Sequence, residues 1–466
     1  MNRDDYYQYA EQAARWGGHY LKTLRERPVR AQVKPGENAA RIPSEPPEAP
    51  VSMDTIIDDF ARIVPDGMTH WQHPRFLAYF PANAAPASMV ADQLASVLSA
   101  QCMLWQTSPA ATEIETCMVD WMRQALGLPP GFSGLIQDSA TTSTVCAVLT
   151  MRERALGWRG NREGLAGQPP LRVYASPQNH SSIDKAVRIA GIGQDNLVKV
   201  ATDDNWALDP VALRAAVRKD LDAGLKPVGV VLCVGGTSLG VSDRVRQTIA
   251  VAQELDLYVH VDAAWAGSAM ICPELRHIWD GVEDADSIVF NPHKWLGAQF
   301  DCTVQFLKDP EAQVRTLGIQ PDYLKTPGET EVTDYSDWTI PLGRRFRALK
   351  LWFVLRAHGL EDLRQRIRNH IAWAESAAAR ISALPHFRLT SPCQLSLFTF
   401  QFAPPGADPA AATEQLLRAV NDDGRTYLTQ TTLDGEFVIR FQVGQFDCQA
   451  ADITMAVDVI EELAAT

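Results

Sequence analysis

The chain has 466 residues, 46% of them hydrophobic, so it is long enough for about three domains and can bury a sizeable core. A formal net charge of −13 argues against nucleic acid as a partner, because a basic face would need strong segregation of charge. No apolar run approaches the ~18 residues of a membrane span, and the first residues lack the basic start and apolar core of a signal peptide. The eight cysteines are scattered, which favours a reducing cytoplasm over a disulfide or zinc framework, and we predict no metal site.

The sequence predicts three parts in chain order. Residues 1–85 have the pattern of helices joined by a proline-rich arm at 28–51, which should run extended and pack on something else. In 86–350, short apolar runs alternate with helical patterns, as is typical of a mostly parallel sheet with helices on both faces. Residues 351–466 mix helices with alternating runs, which indicates a small α/β domain with an antiparallel sheet.

Individual elements can be predicted within these parts. A helix should begin at Ser108-Pro109, where an N-cap precedes a proline, and should end at Gly127. The predicted strands cover 171–175, 228–234, 257–262, 287–290, 395–402 and 437–443, and two further helices cover 210–223 and 243–255.

An aspartate and a lysine follow two of these strands. Asp262 ends the apolar run at 257–262, and Lys294 follows the run at 287–290. Ligands of parallel sheets bind beyond the carboxyl ends of the strands, where both residues fall. Pyridoxal 5′-phosphate (PLP) needs such a pair, since the lysine carries it as a Schiff base and the aspartate keeps its ring nitrogen protonated.

Three nearby polar segments could complete such a site. Ser139, Ala140 and Thr141 open a helical pattern and could hold a phosphate, although such clusters are also ordinary helix caps. The stretch beginning at Gly235-Gly236 lacks the G-x-G-x-x-G spacing, so we discount a nicotinamide or flavin cofactor. His180 follows a strand, where its ring could lie on a cofactor or serve a structural role.

Together these residues resemble the group II PLP-dependent amino-acid decarboxylases, and most of all the aromatic-L-amino-acid decarboxylases. The matching segments span nearly the whole chain in family order. They are Thr69-His70-Trp71, Ala78-Tyr79-Phe80-Pro81, Ser108-Pro109-Ala110, His180-Ser181-Ser182, His260-Val261-Asp262-Ala263-Ala264-Trp265-Ala266-Gly267-Ser268, Asn291-Pro292-His293-Lys294-Trp295-Leu296 and Pro341-Leu342-Gly343-Arg344-Arg345-Phe346-Arg347.

The resemblance implies PLP fold type I, with a mostly parallel seven-stranded sheet in a large domain, a small α/β C-terminal domain and a helical N-terminal segment. It also implies a homodimer with shared active sites, in which residues 1–85 wrap the partner, and the scattered cysteines favour a cytoplasmic location for it. The activity implied is decarboxylation of an aromatic L-amino acid (of the Trp or 5-hydroxy-Trp, Phe, Tyr or Dopa class) to an arylalkylamine.

The family's functional positions carry over residue by residue. The implied catalytic residues are Lys294, Asp262, His180 and Tyr323. The implied cofactor contacts are these first three with Ser139, Ala140, Thr141, Thr237, Ala264, Asn291 and His293. The implied substrate contacts are Trp71, Tyr79, Phe80, Pro81, Met103, Phe300 and Gly343. Plain core packing is an alternative reading of the aromatic residues.

Two positions bear on the reaction and the substrate. Tyr323 matches the tyrosine of the family's mobile loop, where a phenylalanine goes with aldehyde formation, so it favours an amine product. Gly343 occupies a position where glycine goes with indole substrates in plant relatives, which leads us to expect tryptophan or 5-hydroxytryptophan among the substrates. Departures from the animal enzyme, with Ala82 after Pro81 and a methionine at Met103, change the pocket volume.

Two other readings compete with an amine-forming decarboxylase. One is a different PLP enzyme, namely an aromatic aldehyde synthase or a transaminase. The other is a scaffold without cofactor that uses the same fold for interaction, although every residue that the chemistry needs is present.

Overall fold

The chain forms two compact units in the computed structural model, which describes residues 1–319 and 332–465. Met1–Pro81 and Ala372–Thr466 make one, here called the terminal unit, and Ala82–Ile371 makes the other, the central unit. The division into three parts in chain order stays a prediction. Within the described ranges, no helix is both long and apolar enough to cross a membrane.

The central unit is built from alternating helices and strands. Its helices are α3 (Pro86–Leu98), α4 (Pro109–Leu126), α5 (Ala140–Ala155), α6 (Gly160–Glu163), α7 (Ser182–Ile189), α8 (Pro210–Asp222), α9 (Val245–Glu254), α10 (Pro310–Leu317) and the first part of α11 (Arg347–Ala383). Its strands are β1 (Ser133–Gln137), β2 (Leu171–Ala175), β3 (Leu197–Lys199), β4 (Lys226–Cys233), β5 (Tyr258–Asp262), β6 (Ser287–Phe290) and β7 (Thr303–Leu307).

These strands form one sheet in the order β1-β7-β6-β5-β4-β2-β3. Among the described strands of this sheet, β7 alone runs in the opposite direction to the others. Every residue of β5 and of β6 is buried, as expected for central parallel strands covered on both faces. The predicted seven-stranded, mostly parallel sheet is confirmed.

The terminal unit holds a second, smaller sheet. Its strands β8 (Phe387–Gln394), β9 (Leu397–Phe402), β10 (Thr429–Leu433) and β11 (Glu436–Gln442) are antiparallel in the order β10-β11-β9-β8. Its helices are α1 (Tyr6–Thr23), α2 (Met53–Ile63), α12 (Pro409–Asp423), α13 (Ala450–Ala464) and the end of α11. Phe398, Phe400 and Phe441 pack with α12 and α13 in its core.

The N-terminal segments of this unit are fixed to its C-terminal part through backbone hydrogen bonds. Val29 N–H donates to the Gly424 carbonyl at 2.9 Å, and Leu77 N–H donates to the Tyr427 carbonyl at 3.0 Å. The side chains of Val29 and Phe76 are fully buried. A proline-rich arm without a core of its own is thus held by residues that lie several hundred positions away in the chain.

A buried ion pair ties α4 to the segment before α11. Arg344 Nη2 lies 2.5 Å from Glu115 Oε1, and both side chains are at most 3% exposed. Arg344 Nη2 also donates to the Ile136 carbonyl at 2.9 Å, and Glu115 Oε1 accepts from Ile136 N–H at 2.8 Å. The pair therefore fixes α4, β1 and the entry to α11 together.

Arg344→Met is expected to destabilise the protein by roughly 3–5 kcal/mol, because it leaves the Glu115 carboxylate buried without its cation. The matched control is Arg345→Met, since the Arg345 side chain is 61% exposed and its pair with Asp92 is worth only ~0–1 kcal/mol. Urea unfolding midpoints of the two variants measure the difference. Equal midpoints would show that the buried pair contributes no more than the exposed one.

Candidate active site

A pocket lies at the carboxyl edge of the central sheet and contains the predicted aspartate and lysine. It encloses about 600 Å³ of non-atom space, part of it open to solvent. Every predicted cofactor contact lines it, as does Phe300 from the predicted substrate contacts. The lining residues are Ser139, Ala140, Thr141, His180, Cys233, Gly235, Gly236, Thr237, Asp262, Ala264, Trp265, Asn291, His293, Lys294 and Phe300.

Lys294 is held by a turn that follows β6. Its backbone N–H donates to the Asn291 carbonyl at 2.9 Å, and its carbonyl accepts from Asn83 Nδ2 at 2.7 Å. Asn83 N–H also donates to the His293 carbonyl at 2.9 Å, and the Asn83 side chain is fully buried. Asn83 therefore fixes the backbone on both sides of the lysine side chain, a role that the sequence analysis missed.

Asp262 is the last residue of β5 and is only 6% exposed. Its Oδ1 accepts from Ala264 N–H at 3.0 Å, which fixes the carboxylate relative to the chain that leaves the strand. The Ala264 carbonyl in turn accepts from Asn291 N–H at 2.8 Å, so the segment after β5 is tied to the segment after β6. Adjacent parallel strands therefore bring Asp262 and Lys294 to one pocket.

His180 adds an imidazole to the same pocket. Its Nδ1 accepts from Ser182 N–H at 3.1 Å, so the neutral ring carries its proton on Nε2. The atoms packed around the ring lower the pKa of His180, the nearby Asp262 carboxylate opposes this shift, and the Lys294 ammonium adds to it. The imidazole is therefore biased towards its neutral form between the two charged groups.

The N-terminus of α5 offers hydrogen-bond donors at the pocket. Ser139 is the N-cap, and its Oγ accepts from Thr142 N–H at 3.2 Å. Ala140 and Thr141 follow in the first turn, where backbone N–H groups have no partner within a helix and point outward. Together with the positive end of the helix dipole, this turn suits a phosphate. The interpretation of these residues as an ordinary helix cap also holds, since capping and anion binding use different donors of one turn.

The glycine loop after β4 forms another side of the pocket. Gly235 has φ +78°, and a Cβ there would lie 2.5 Å from Ala266 Cβ, so only glycine fits without a shift. Trp265 Nε1 donates to the Gly235 carbonyl at 2.6 Å. Close packing thus holds this glycine loop against the pocket. The loop also carries the exposed Thr237.

His293 supports the pocket from below the lysine turn. Burial lowers the pKa of His293 to about 3, so the ring stays neutral at ordinary pH. Its Nδ1 accepts from Cys302 N–H at 3.0 Å, and its ring packs edge-on against Phe300 at a centroid distance of 4.8 Å.

These groups fit the predicted cofactor by their chemistry. An amine on Lys294 suits an aldehyde, a buried carboxylate on Asp262 suits a protonated pyridine nitrogen, and the α5 terminus suits a phosphate dianion. All three groups lie within the central unit and line one pocket.

The remaining predicted substrate contacts are not among the described residues that line this pocket. Trp71, Tyr79, Phe80 and Pro81 belong to the terminal unit, where Trp71 and Tyr79 are exposed and stack at 5.9 Å. Gly343 lines a second pocket of the central unit with Gln101, and neither Gly343 nor Met103 is among the described residues that line the Lys294 pocket. Tyr323 lies outside the described residues. The substrate roles of all these residues stay predictions.

Residues 35–403 match the family model described as the pyridoxal-dependent decarboxylase conserved domain. The chain belongs to this decarboxylase family. Tyrosine decarboxylase 1 of Narcissus pseudonarcissus is 38% identical and aligns with 96% of this chain and 90% of its own length. Phenylacetaldehyde synthase of Arabidopsis thaliana is also 38% identical, over 95% of this chain and 92% of its own length.

The fold comparison agrees with the family assignment. The crystal structure of Oryza sativa TDC with PLP and tryptamine has a TM-score of 0.96 and is 35% identical, and the match covers 100% of this chain and 98% of that chain. Membership of the pyridoxal-dependent decarboxylases makes PLP the cofactor and the protein a PLP-dependent carboxy-lyase by family. The predicted resemblance, fold class and cofactor are therefore confirmed.

Proposed function

We propose that this pyridoxal-dependent decarboxylase family member converts an aromatic L-amino acid into the arylalkylamine and CO₂. The observation that carries the proposal is the convergence of Lys294, Asp262, His180 and the α5 terminus on one pocket. The aromatic class of the substrate is supported by relatives named for tyrosine and phenylacetaldehyde and by a solved neighbour that holds tryptamine.

Each pocket residue has a role in this proposal. Lys294 Nζ would hold PLP covalently, Asp262 would pair with the ring nitrogen, and His180 and Ala264 would lie against the two faces of the ring. The phosphate contacts would come from Ser139, Ala140, Thr141 and Asn291, with Thr237 near the ring substituents and His293 supporting the lysine turn. Bound PLP supplies an electron sink for the pair left behind by CO₂.

The protein residues control charge and water around that sink. Asp262, buried and held by Ala264 N–H, would place its carboxyl group at the ring nitrogen. The neutral ring of His180 has no proton on Nδ1. It can donate a hydrogen bond from Nε2–H without placing a full positive charge beside Lys294. Because Asp262, Asn291 and His293 are buried, water weakens their interactions in the pocket less than it weakens those of exposed groups.

An aromatic aldehyde synthase is the second candidate. The Arabidopsis thaliana relative with that name is as similar to this chain as the tyrosine decarboxylase is. The purified holoenzyme should be assayed with Trp, 5-hydroxy-Trp, Phe, Tyr, Dopa, His and Glu for CO₂, amine, aldehyde and peroxide together. Amine with CO₂ from an aromatic substrate supports the proposal; aldehyde with peroxide supports the alternative, and turnover of only His or Glu contradicts both.

Tyr323→Phe is expected to lower the rate of amine formation and to divert product to aldehyde, ammonia and peroxide, with dioxygen consumed. Tyr323 matches the family's loop tyrosine, and its phenol would donate a proton to Cα in place of the departed CO₂. Amine, aldehyde and oxygen uptake should be measured in the same reaction, because the prediction concerns their ratio.

Tyr335→Phe is the matched control for this change. The Tyr335 hydroxyl is buried and lies 3.0 Å from Thr116 Oγ1, so its removal affects packing rather than the pocket lining. We expect the control to form amine without aldehyde. If Tyr323→Phe gives the wild-type product ratio, another group protonates Cα.

We further propose a cytoplasmic homodimer with shared active sites, in which residues 1–85 wrap the partner. Two helices present apolar stripes to solvent: Ile56 and Phe60 of α2 are exposed with Val64 just after it, and α3 exposes Val90, Leu94, Val97 and Leu98. Stripes of this kind are typical of interaction surfaces. All eight cysteines are free, which supports a reducing compartment. Sedimentation of the holoenzyme tests the dimer, since a monomer at micromolar concentration contradicts it.

A further inference from the structure

Phe300 lies in the connection between β6 and β7 and lines the Lys294 pocket. Phe300 is 54% exposed, and its ring packs edge-on against His293 at a centroid distance of 4.8 Å. A ring that is more than half exposed is held only weakly by its own packing. The residues on either side of it, Gln299 and Asp301, therefore decide where the ring lies.

Asp301 is held by Arg347, the first residue of α11. Arg347 Nε and Nη2 donate to Asp301 Oδ1 and Oδ2 at 2.8 and 3.3 Å, and the two side chains are 13% and 18% exposed. Partial burial acts to raise the pKa of Asp301, but hydrogen bonding and charge from Arg347 prevail and lower it. A two-pronged, shielded pair of this kind fixes orientation as well as position.

Gln299 is held by Lys350, one turn further along α11. Lys350 Nζ donates to Gln299 Oε1 at 2.9 Å, and the Lys350 side chain is 2% exposed. Gln299 N–H also donates to Ser88 Oγ on α3. Because residues three apart lie on the same helical face, Arg347 and Lys350 grip the chain on both sides of Phe300 from one turn of one helix.

We infer that Arg347 and Lys350 are positioning residues that hold Phe300 as a wall of the Lys294 pocket and so help to set which substrate side chain it accepts. The inference rests on the proposed function only for the substrate class. A wall held by a charged pair on a helix is more rigid than one held by its own loop, and small displacements of a positioned group can cost ~100-fold in rate. Arg347 and Lys350 are not among the described residues that line the pocket, and the lining residue between the two positions that they hold is Phe300.

A double-mutant cycle between Arg347 and Phe300 tests this. Arg347→Met and Phe300→Leu should each lower kcat/KM for the preferred aromatic amino acid roughly 10-fold, mainly through KM. The double variant should lose no more than the worse single variant, because the phenyl ring that Arg347 positions is already missing in Phe300→Leu. Arg347→Lys should lose less kcat/KM than Arg347→Met, because the lysine can keep one hydrogen bond to Asp301. Losses that multiply in the double variant would overturn the inference.

Asp301→Asn and a variant in an unrelated ion pair distinguish a loss of positioning from a general loss of stability. Asp301→Asn keeps the side-chain volume and should behave like Arg347→Met in the cycle. Arg172→Met breaks a pair of similar burial with Asp220, in which the side chains are 19% and 10% exposed. We expect it to lower stability without changing KM or coupling to Phe300. If Arg172→Met raises KM as Arg347→Met does, the effect is general destabilisation and the inference fails.

Two readouts do not depend on turnover. Calorimetry of the holoenzyme with 3-phenylpropanoate, which has no amine and cannot react, should show roughly 10-fold weaker binding for Arg347→Met and none of that loss for Arg172→Met. Crystal structures should show the Phe300 ring displaced from His293 in Arg347→Met. A wild type that turns over no aromatic amino acid contradicts the proposed function, whereas an undisplaced Phe300 ring contradicts the positioning role.

Discussion

Replacement of Lys294 by alanine is expected to abolish covalent cofactor binding and to lower kcat by roughly a thousandfold or more. The side chain lines the pocket beside Asp262 and His180, and its backbone is fixed by Asn83 and Asn291. An alanine leaves that backbone unchanged but removes the amine. The absorbance band of bound PLP near the visible edge should be lost. After borohydride reduction, peptide mapping should find no cofactor attached to residue 294.

Lys308→Ala is the matched control for this change. Lys308 follows β7, its Nζ is exposed, and it lies 3.6 Å from Asp284, so its loss removes one charge without touching the pocket lining. It should keep the absorbance band, the mapped adduct and the wild-type kcat. A borohydride-fixed adduct that moves to another lysine in Lys294→Ala, with activity retained, would sink the assignment.

The sequence could predict Asp262 and Lys294 because each lies directly after a short apolar run. Strands β5 and β6 are buried along their whole length, so their sequences carry the apolar signal of central parallel strands. Strands β7, next to β6, and β1, next to β7, were not predicted, since β1 contains Gly134 and Gln137 and β7 contains Gln305 among its buried residues. Those glutamines pair with each other at 3.2 Å across the sheet, and a single strand cannot show that its polar residue has a partner.

The support around the lysine depends on contacts between distant positions. Asn83 lies 211 residues from the carbonyl that it binds, and nothing in its local sequence distinguishes it from an ordinary loop asparagine. Trp265 belongs to the matching family segment, but its hydrogen bond to Gly235 depends on how two loops pack. The contacts of Arg347 and Lys350 with the residues on either side of Phe300 could not be predicted either, because the spacing of Arg347 and Lys350 indicates only a shared helical face.

Substrate choice was the least predictable feature, because the predicted substrate contacts do not all line one described pocket. The predicted contacts divide between Phe300 in the Lys294 pocket, Gly343 in a second pocket, and Trp71, Tyr79, Phe80 and Pro81 in the terminal unit. A Cβ on Gly343 would lie 3.1 Å from Gln101 Nε2, so a larger residue there would press first on Gln101. The expected acceptance of tryptophan therefore stays a prediction that the substrate panel must test.

Asp262→Asn is expected to retain PLP but to lower kcat by roughly 100-fold or more, the scale on which loss of one well-placed electrostatic partner acts. The amide keeps an oxygen that can accept from Ala264 N–H, as Oδ1 does now at 3.0 Å, so the fold of the pocket should survive. It has no negative charge, however, and a neutral ring nitrogen makes a poor electron sink. Cofactor content after dialysis and kcat for the preferred substrate should be measured on the same preparation.

Asp286→Asn and a modified cofactor distinguish this electronic role from a structural one. Asp286 is partly buried and accepts from Val259 N–H at 2.7 Å, but it precedes β6 at the opposite edge of the sheet. We expect Asp286→Asn to affect stability more than kcat. In Asp262→Ala, which leaves space beside the ring, PLP methylated at its ring nitrogen carries a permanent positive charge and should restore part of the lost kcat. If Asp262→Asn turns over at the wild-type rate, or the methylated cofactor rescues nothing in a folded Asp262→Ala, Asp262 does not act by holding the ring nitrogen cationic.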